Sequence, residues 1–191
     1  MSRPAGPPSS GKGVLASIVQ EYLRYRKLGE RTFAQLRDEE LSAPPPGGGS
    51  SVAVIVWHVA GNLKSRFTDF LTTDGEKPWR QRDSEFEERT VTRAELLEKW
   101  RDGWDVLLGT LATLGDEDLD GMVTIRGRPL SVAEALHRSL AHTAYHVGQI
   151  VHVGKAFRGD AWEYLSIPPG GSAAYNRNPD RETGVREDAR G

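Results

Sequence analysis

Apolar residues recur at intervals of three and four along most of this chain, and that spacing predicts four long helices. In the first, at about 14–37, Leu15, Ile18, Tyr22, Tyr25, Phe33 and Leu36 share one face, and Gly29 on that seam marks either a bend or a close helix contact. The run APPPGGGSS (43–51) ends the segment, because consecutive prolines cannot continue a helix. A second helix is expected over 51–71, capped by Ser50 or Ser51. Its opening stretch VAVIVWHVA (52–60) is apolar on every side except at His58, the pattern of a helix buried all round, and the spacing runs on to Phe70 and Leu71. The third, at 92–114, opens on the capping box Thr92-Arg93-Ala94-Glu95 and carries Leu96, Trp100, Trp104, Leu107, Leu111 and Leu114 on one face, with the two tryptophans read as core. The fourth, at 131–157, opens on a second box, Ser131-Val132-Ala133-Glu134, and stops at Gly159.

The connections add little regular structure. Residues 72–91 form a long charged loop, of a length that in compact domains is functional or mobile, and its alternating charges read as a solvated surface. Within it, Trp79 either closes over a pocket or packs on the end of the bundle. Residues 122–131 hold two short extended pieces about Arg126-Gly127, a small hairpin. Residues 160–170 carry enough apolar side chains to pack back on the helices. The expected architecture is all-α: a four-helix bundle spanning 14–170, between polar tails at 1–13 and 171–191.

Composition removes several classes of function. Lys and Arg (25) against Asp and Glu (27) leave a net charge of −2, so no basic stripe remains for a nucleic-acid backbone. With no cysteine, disulfides, thiolate metal sites, iron–sulfur clusters and cysteine nucleophiles are excluded together. No stretch approaches the 18 or so apolar residues of a membrane span and no apolar signal core precedes the first helix, so the expectation is a soluble, cytoplasmic protein.

The candidate chemistry lies in the histidines. His142 and His146 are four apart, so they leave one helix face about one turn from each other, within reach of a common metal ion. His58 sits in the most buried stretch of the second helix, and bundles build metal sites from inward-facing side chains on different helices. Three neutral imidazoles would leave a tetrahedral ion one open position, the catalytic arrangement. The bland alternative is a buried His58 bonded to Asn62, Ser65 or a backbone carbonyl. His137 and His152 are about 140° and 120° out of phase with the pair and read as surface or packing residues. Gln149 shares the pair's face and Asn62 lies one turn beyond His58; each is either a group that bonds a ligand or a polar boundary residue, and Tyr145 reads as a core aromatic. A general base is not evident, since Asp69 lies about 16 Å along the helix from His58.

These residues carry a resemblance. The His58 helix, the His142-x-x-x-His146 helix and the lengths between them resemble the DinB/YfiT-like superfamily of metal-binding four-helix bundles. The strings HVAGNLKSRFTDFLTTDGEKPWR (58–80), ALHRSLAHTAYHVGQIVHVGK (135–155) and LSIPPGGSAAYN (165–176) are similar to an uncharacterised bacterial branch of it, and the likeness covers about 14–176. The resemblance implies a divalent metal, zinc or nickel before iron, on His58, His142 and His146. Ala141, Ala144 and Gly148 recur at three and four on the fourth helix and suit close helix approach, either inside one bundle or between two chains; the resemblance favours a dimer, and it implies chemistry with low-molecular-weight thiols such as bacillithiol or mycothiol.

Three functions follow as expectations. The first is a thiol transferase in which the ion binds the thiolate and Gln149, Asn62, Trp79 or Arg80 places the acceptor. The second is a hydrolase whose ion activates water, and the third is a metal-stabilised binding or stress-response module without catalysis.

Overall fold

Residues 13–177 of the chain are described by a computed structural model, and they are mostly helical. Helix α1 covers Val14–Phe33, α2 Asp38–Ser42, α3 Val52–Phe67, α4 Arg93–Leu111, α5 Val132–Arg158 and α6 Ser172–Arg177. One antiparallel hairpin, β1 (Met122–Ile125) with β2 (Arg128–Ser131), stands between α4 and α5. No described helix is long and apolar enough to cross a membrane.

The expected first helix breaks four residues early. Beyond Phe33 the backbone turns, Arg37 is extended, and the carboxylate of Glu40 accepts from the Arg37 N–H at 2.7 Å and from its guanidinium, which starts α2 afresh. Arg93 seals the break by donating to the carbonyls of Phe33 (2.8 Å) and Leu36 (2.6 Å), orphan acceptors at a helix end. At its other end α1 has no local side-chain cap. Asp116, from the far end of the chain's middle third, accepts instead from the N–H groups of Val14 and Leu15. Helix α3 stops at Phe67, not Leu71, because Thr68 is extended and Asp69 takes a left-handed turn. Phe70 is still buried beyond it, whereas Leu71 is exposed.

Both capping boxes form, with Thr92 and Ser131 accepting from the N–H of Glu95 and Glu134. Ser51 caps α3 by accepting from Val54 N–H. Glycines set how closely the helices meet. A Cβ on Gly103 of α4 would lie 2.7 Å from the Cα of Ala60 in α3, and one on Gly29 of α1 would lie 2.6 Å from the Trp100 ring, so Gly29 marks a close contact. Trp100 and Trp104 are fully buried, and Tyr22 of α1 donates to the Leu136 carbonyl of α5 at 3.1 Å. After α5, Trp162 is buried, and Glu163 exchanges hydrogen bonds with the Gln35 side chain, so this segment does pack back. The first residues of the stretch read as a polar tail form α6; residues 1–12 and 178–191 lie outside the described residues.

The hairpin turns through Arg126 and Gly127, both at positive φ (56° and 68°). It clamps the long loop. Asp74 accepts from the N–H groups of Gly127 (2.7 Å), Glu76 (2.6 Å) and Arg126 (2.9 Å), and Gly75 donates to the Thr124 carbonyl. On the helix side, Ser65 of α3 donates to the Gly75 carbonyl at 2.7 Å. Residues 74–77 are therefore held against α3 and the hairpin, while much of the rest of the loop stays exposed.

Two outcomes are expected. Gly103→Ala meets backbone that cannot move aside, so thermal unfolding should show a loss of about 1–3 kcal/mol; an unchanged melting temperature would mean that α3 and α4 are not this close. Hydrogen bonds, from Gly127 foremost, hold the Asp74 carboxyl down at about 2. Its contribution is thus complete above the ordinary carboxylate range and is lost as pH falls toward 2, so an NMR titration should find that midpoint and not one near 4.

Candidate metal centre

Helix α3 supplies His58, and α5 supplies His142 and His146 one turn apart. Their Nε2 atoms converge: 3.2 Å separates those of His58 and His142, and 3.1 Å those of His142 and His146. All three candidate ligand atoms lie within 4.8 Å of one another. Two donors on one tetrahedral ion, each bonded at 2.0–2.1 Å, stand about 3.3 Å apart, so the spacing fits a shared ion.

The protons are placed by what each ring touches on its other side. His58 Nδ1 faces Glu85 Oε2 at 2.9 Å, and a carboxylate only accepts, so the ring proton sits on Nδ1 and the Nε2 lone pair points at the other histidines. His146 Nδ1 likewise donates to Gln149 Oε1 at 2.7 Å, while Gln149 Nε2 donates to the Tyr145 hydroxyl at 3.2 Å. His142 Nε2 lies between two such lone pairs and can offer a proton to only one. Burial first, then the charges of His146, His58, Arg80 and Arg66, push the His142 imidazole down to about 3, and burial lowers His146 as well. The three rings lie close enough to hold a metal ion, with Glu85 and Gln149 bonded to the opposite nitrogens of His58 and His146 as its outer partners would be.

Glu85 is the residue that sequence reasoning missed. It falls in the charged loop read as solvated, yet a 3-10 turn over Asp83–Phe86 lays it against α3, where it is buried. Burial pushes its carboxyl up, but hydrogen bonds from Arg80 and His58 more than reverse this and hold it below the usual carboxylate range. Arg80 donates from Nε and Nη2, both at 2.8 Å, and its side chain is only 2% exposed. Arg80, a candidate for placing an acceptor, fastens Glu85. The carboxylate fits because residue 61 is glycine: a Cβ there would come within 2.7 Å of Glu85 Cδ, and closer still to Oε1. Gly61, three residues after His58, was the available signal.

The model of a family described as a protein of unknown function, DUF1572, matches residues 9–171. The chain belongs to the DUF1572 family. No curated protein matches it.

Of the other residues singled out in this DUF1572 protein, Gln149 bonds His146, and Asn62 lines a hollow shared with His58 and His142. Ser65 serves the loop and not His58. His137 and His152 are exposed. Tyr145 is not core: it is 63% exposed, with its hydroxyl accepting from the Gln149 amide and its ring edge-on to that of His146. Trp79 is also exposed and lines a separate hollow with Trp57 on the far side of Glu85.

If Glu85 sets the tautomer of His58, long-range ¹⁵N–¹H correlation spectra of the metal-free protein at neutral pH should show Nδ1–H forms for His58 and His146. Gly61→Ala, which displaces the Glu85 carboxylate while favouring helix, should mix the tautomers of His58 alone. Unchanged His58 signals in that variant would contradict the assignment.

Proposed function

We propose that this protein binds one divalent transition metal ion through Nε2 of His58, His142 and His146, and that the site serves a transferase reaction with a low-molecular-weight thiol. The observation that carries the metal reading is that the Nε2 atoms of His58 and His146 lie 3.2 and 3.1 Å from that of His142, all three ligand atoms within 4.8 Å of one another, with His58 and His146 hydrogen-bonded through the opposite nitrogen. All-nitrogen ligation suits zinc or nickel, with iron a poorer match. An ion held by neutral ligands keeps its full charge, favours an incoming anion and lowers the pKa of a bound thiol.

The chain's own residues do the rest. Glu85, pinned by Arg80, and Gln149, steadied by Tyr145, keep the rings of His58 and His146 turned toward one point. The ring of Phe86 lies 4.5 Å from that of His58 and excludes water on that side. The hydrolase reading is less well supported, because it needs a free base, and both oxygens of Glu85 are engaged by Arg80 and His58. The long helices α1, α3, α4 and α5 support assignment to the DinB/YfiT-like four-helix bundles. Ala141 and Gly148 face outward, and a Cβ on Gly148 would meet nothing within 4 Å, which supports the reading of this stripe as a homodimer contact.

Protein purified without chelator should carry about one metal ion per chain; His142→Ala should lose it, and His137→Ala should keep it. With cobalt(II) in the site, bacillithiol or mycothiol should raise a sulfur-to-metal charge-transfer band that is absent in His58→Ala. Full occupancy in His142→Ala would contradict the metal reading, and thiols that leave the spectrum unchanged would contradict the transferase reading.

A further inference from the structure

Beside the triad lies a hollow of about 180 Å³, bounded by α3, α5, the long loop and the hairpin, with His58 and His142 in its wall. Of its 13 lining residues five are arginines (Arg66, Arg80, Arg82, Arg126 and Arg138) and none is a carboxylate, in a chain whose net charge is −2. Some of that charge is compensated from behind the wall. Glu76 takes Arg66 at 3.2 Å and Arg126 at 2.8 Å, and Glu85 takes Arg80. The remainder is not. Among the described residues Arg82 pairs only with Asp83, 3.7 Å away and fully in water, where such a pair is weak. Arg138 makes no ion pair among the described residues.

The two uncompensated guanidiniums are placed with respect to the histidines. Arg82 stacks over the Phe86 ring at 4.9 Å, and that ring lies 4.5 Å from His58. Arg138 precedes His142 by four residues on α5, so it leaves the same helix face one turn away. Like charges gathered around a concave wall of low dielectric focus a positive potential into it, and planar guanidiniums match the oxygens of carboxylates and phosphates.

We propose that this hollow binds a small molecule through a carboxylate or phosphate group, gripped by Arg82 and Arg138, with the rest of the molecule directed at the histidine triad. The volume admits a small acid or the acidic arm of a larger one. The proposal rests on the metal reading for which end of the ligand reacts, and not for whether the anionic group binds.

The test is calorimetric titration of the full chain, metal-free and zinc-loaded, with succinate, with glycerol 1-phosphate and with neutral succinamide. At least one of the two anions should bind saturably, which of them does so distinguishing carboxylate from phosphate, and succinamide should not. Arg82→Ala/Arg138→Ala, changed only at solvent-exposed side chains, should weaken that binding about tenfold or more, while Arg24→Ala on α1 should leave it unchanged. Binding of neither anion to wild type, equal affinity in the double variant, or succinamide binding as tightly would each overturn the proposal. Elemental analysis of the same samples separates the two readings. Arginine-dependent anion binding by protein that never takes up metal upholds this site and fails the metal reading. Metal-loaded protein that ignores both anions fails this site alone.

Discussion

The hydrogen bond from His58 Nδ1 to Glu85 is the contact on which the centre depends, and much of the local structure exists to make it. A buried carboxylate is costly unless its oxygens are filled, and removing one partner from a buried pair costs about 3–5 kcal/mol. Here Arg80 and His58 fill them. Reaching that geometry takes the loop's path along α3, set by Ser65 and the Asp74 clamp on the hairpin turn, and the missing side chain at Gly61. A segment of alternating charge thus becomes the outer wall of a cluster of three imidazoles.

What the sequence made legible was whatever local spacing controls. Capping boxes at Thr92 and Ser131, the cap at Ser51, the turn at Arg126-Gly127 and the four-residue step from His142 to His146 are short-range patterns, and each appears where the spacing puts it. His58 was legible for a different reason, as the one polar side chain in an apolar run. The failures are long-range. Nothing near Phe33 announces that Arg93, sixty residues away, will take its carbonyl, and nothing in α1 announces Asp116 as its cap. Helix α3 ends before Phe70 although Phe70 is apolar and buried, so the three-and-four spacing there records burial and not helix.

Glu85 was the costliest omission, and its cause is instructive. Six carboxylates and four basic residues share the 72–91 loop, and composition cannot separate the one pair that is buried from the others. The distinguishing feature is on another element: a glycine at position 61, within a helix that otherwise gains from every side chain it buries. The same loop, with α5 and the hairpin, also brings arginines to one wall although the chain as a whole is slightly acidic. Net charge describes solubility and says little about a site this small.

We propose that the three imidazoles face one another to share an ion. X-ray absorption at the edge of the metal bound by the purified protein measures this directly. The expected spectrum shows three imidazole nitrogens at about 2.0–2.1 Å, with a fourth, lighter contribution that exchanges with solvent ligands. A first shell built from oxygens, or one that holds fewer than three imidazoles, would contradict it.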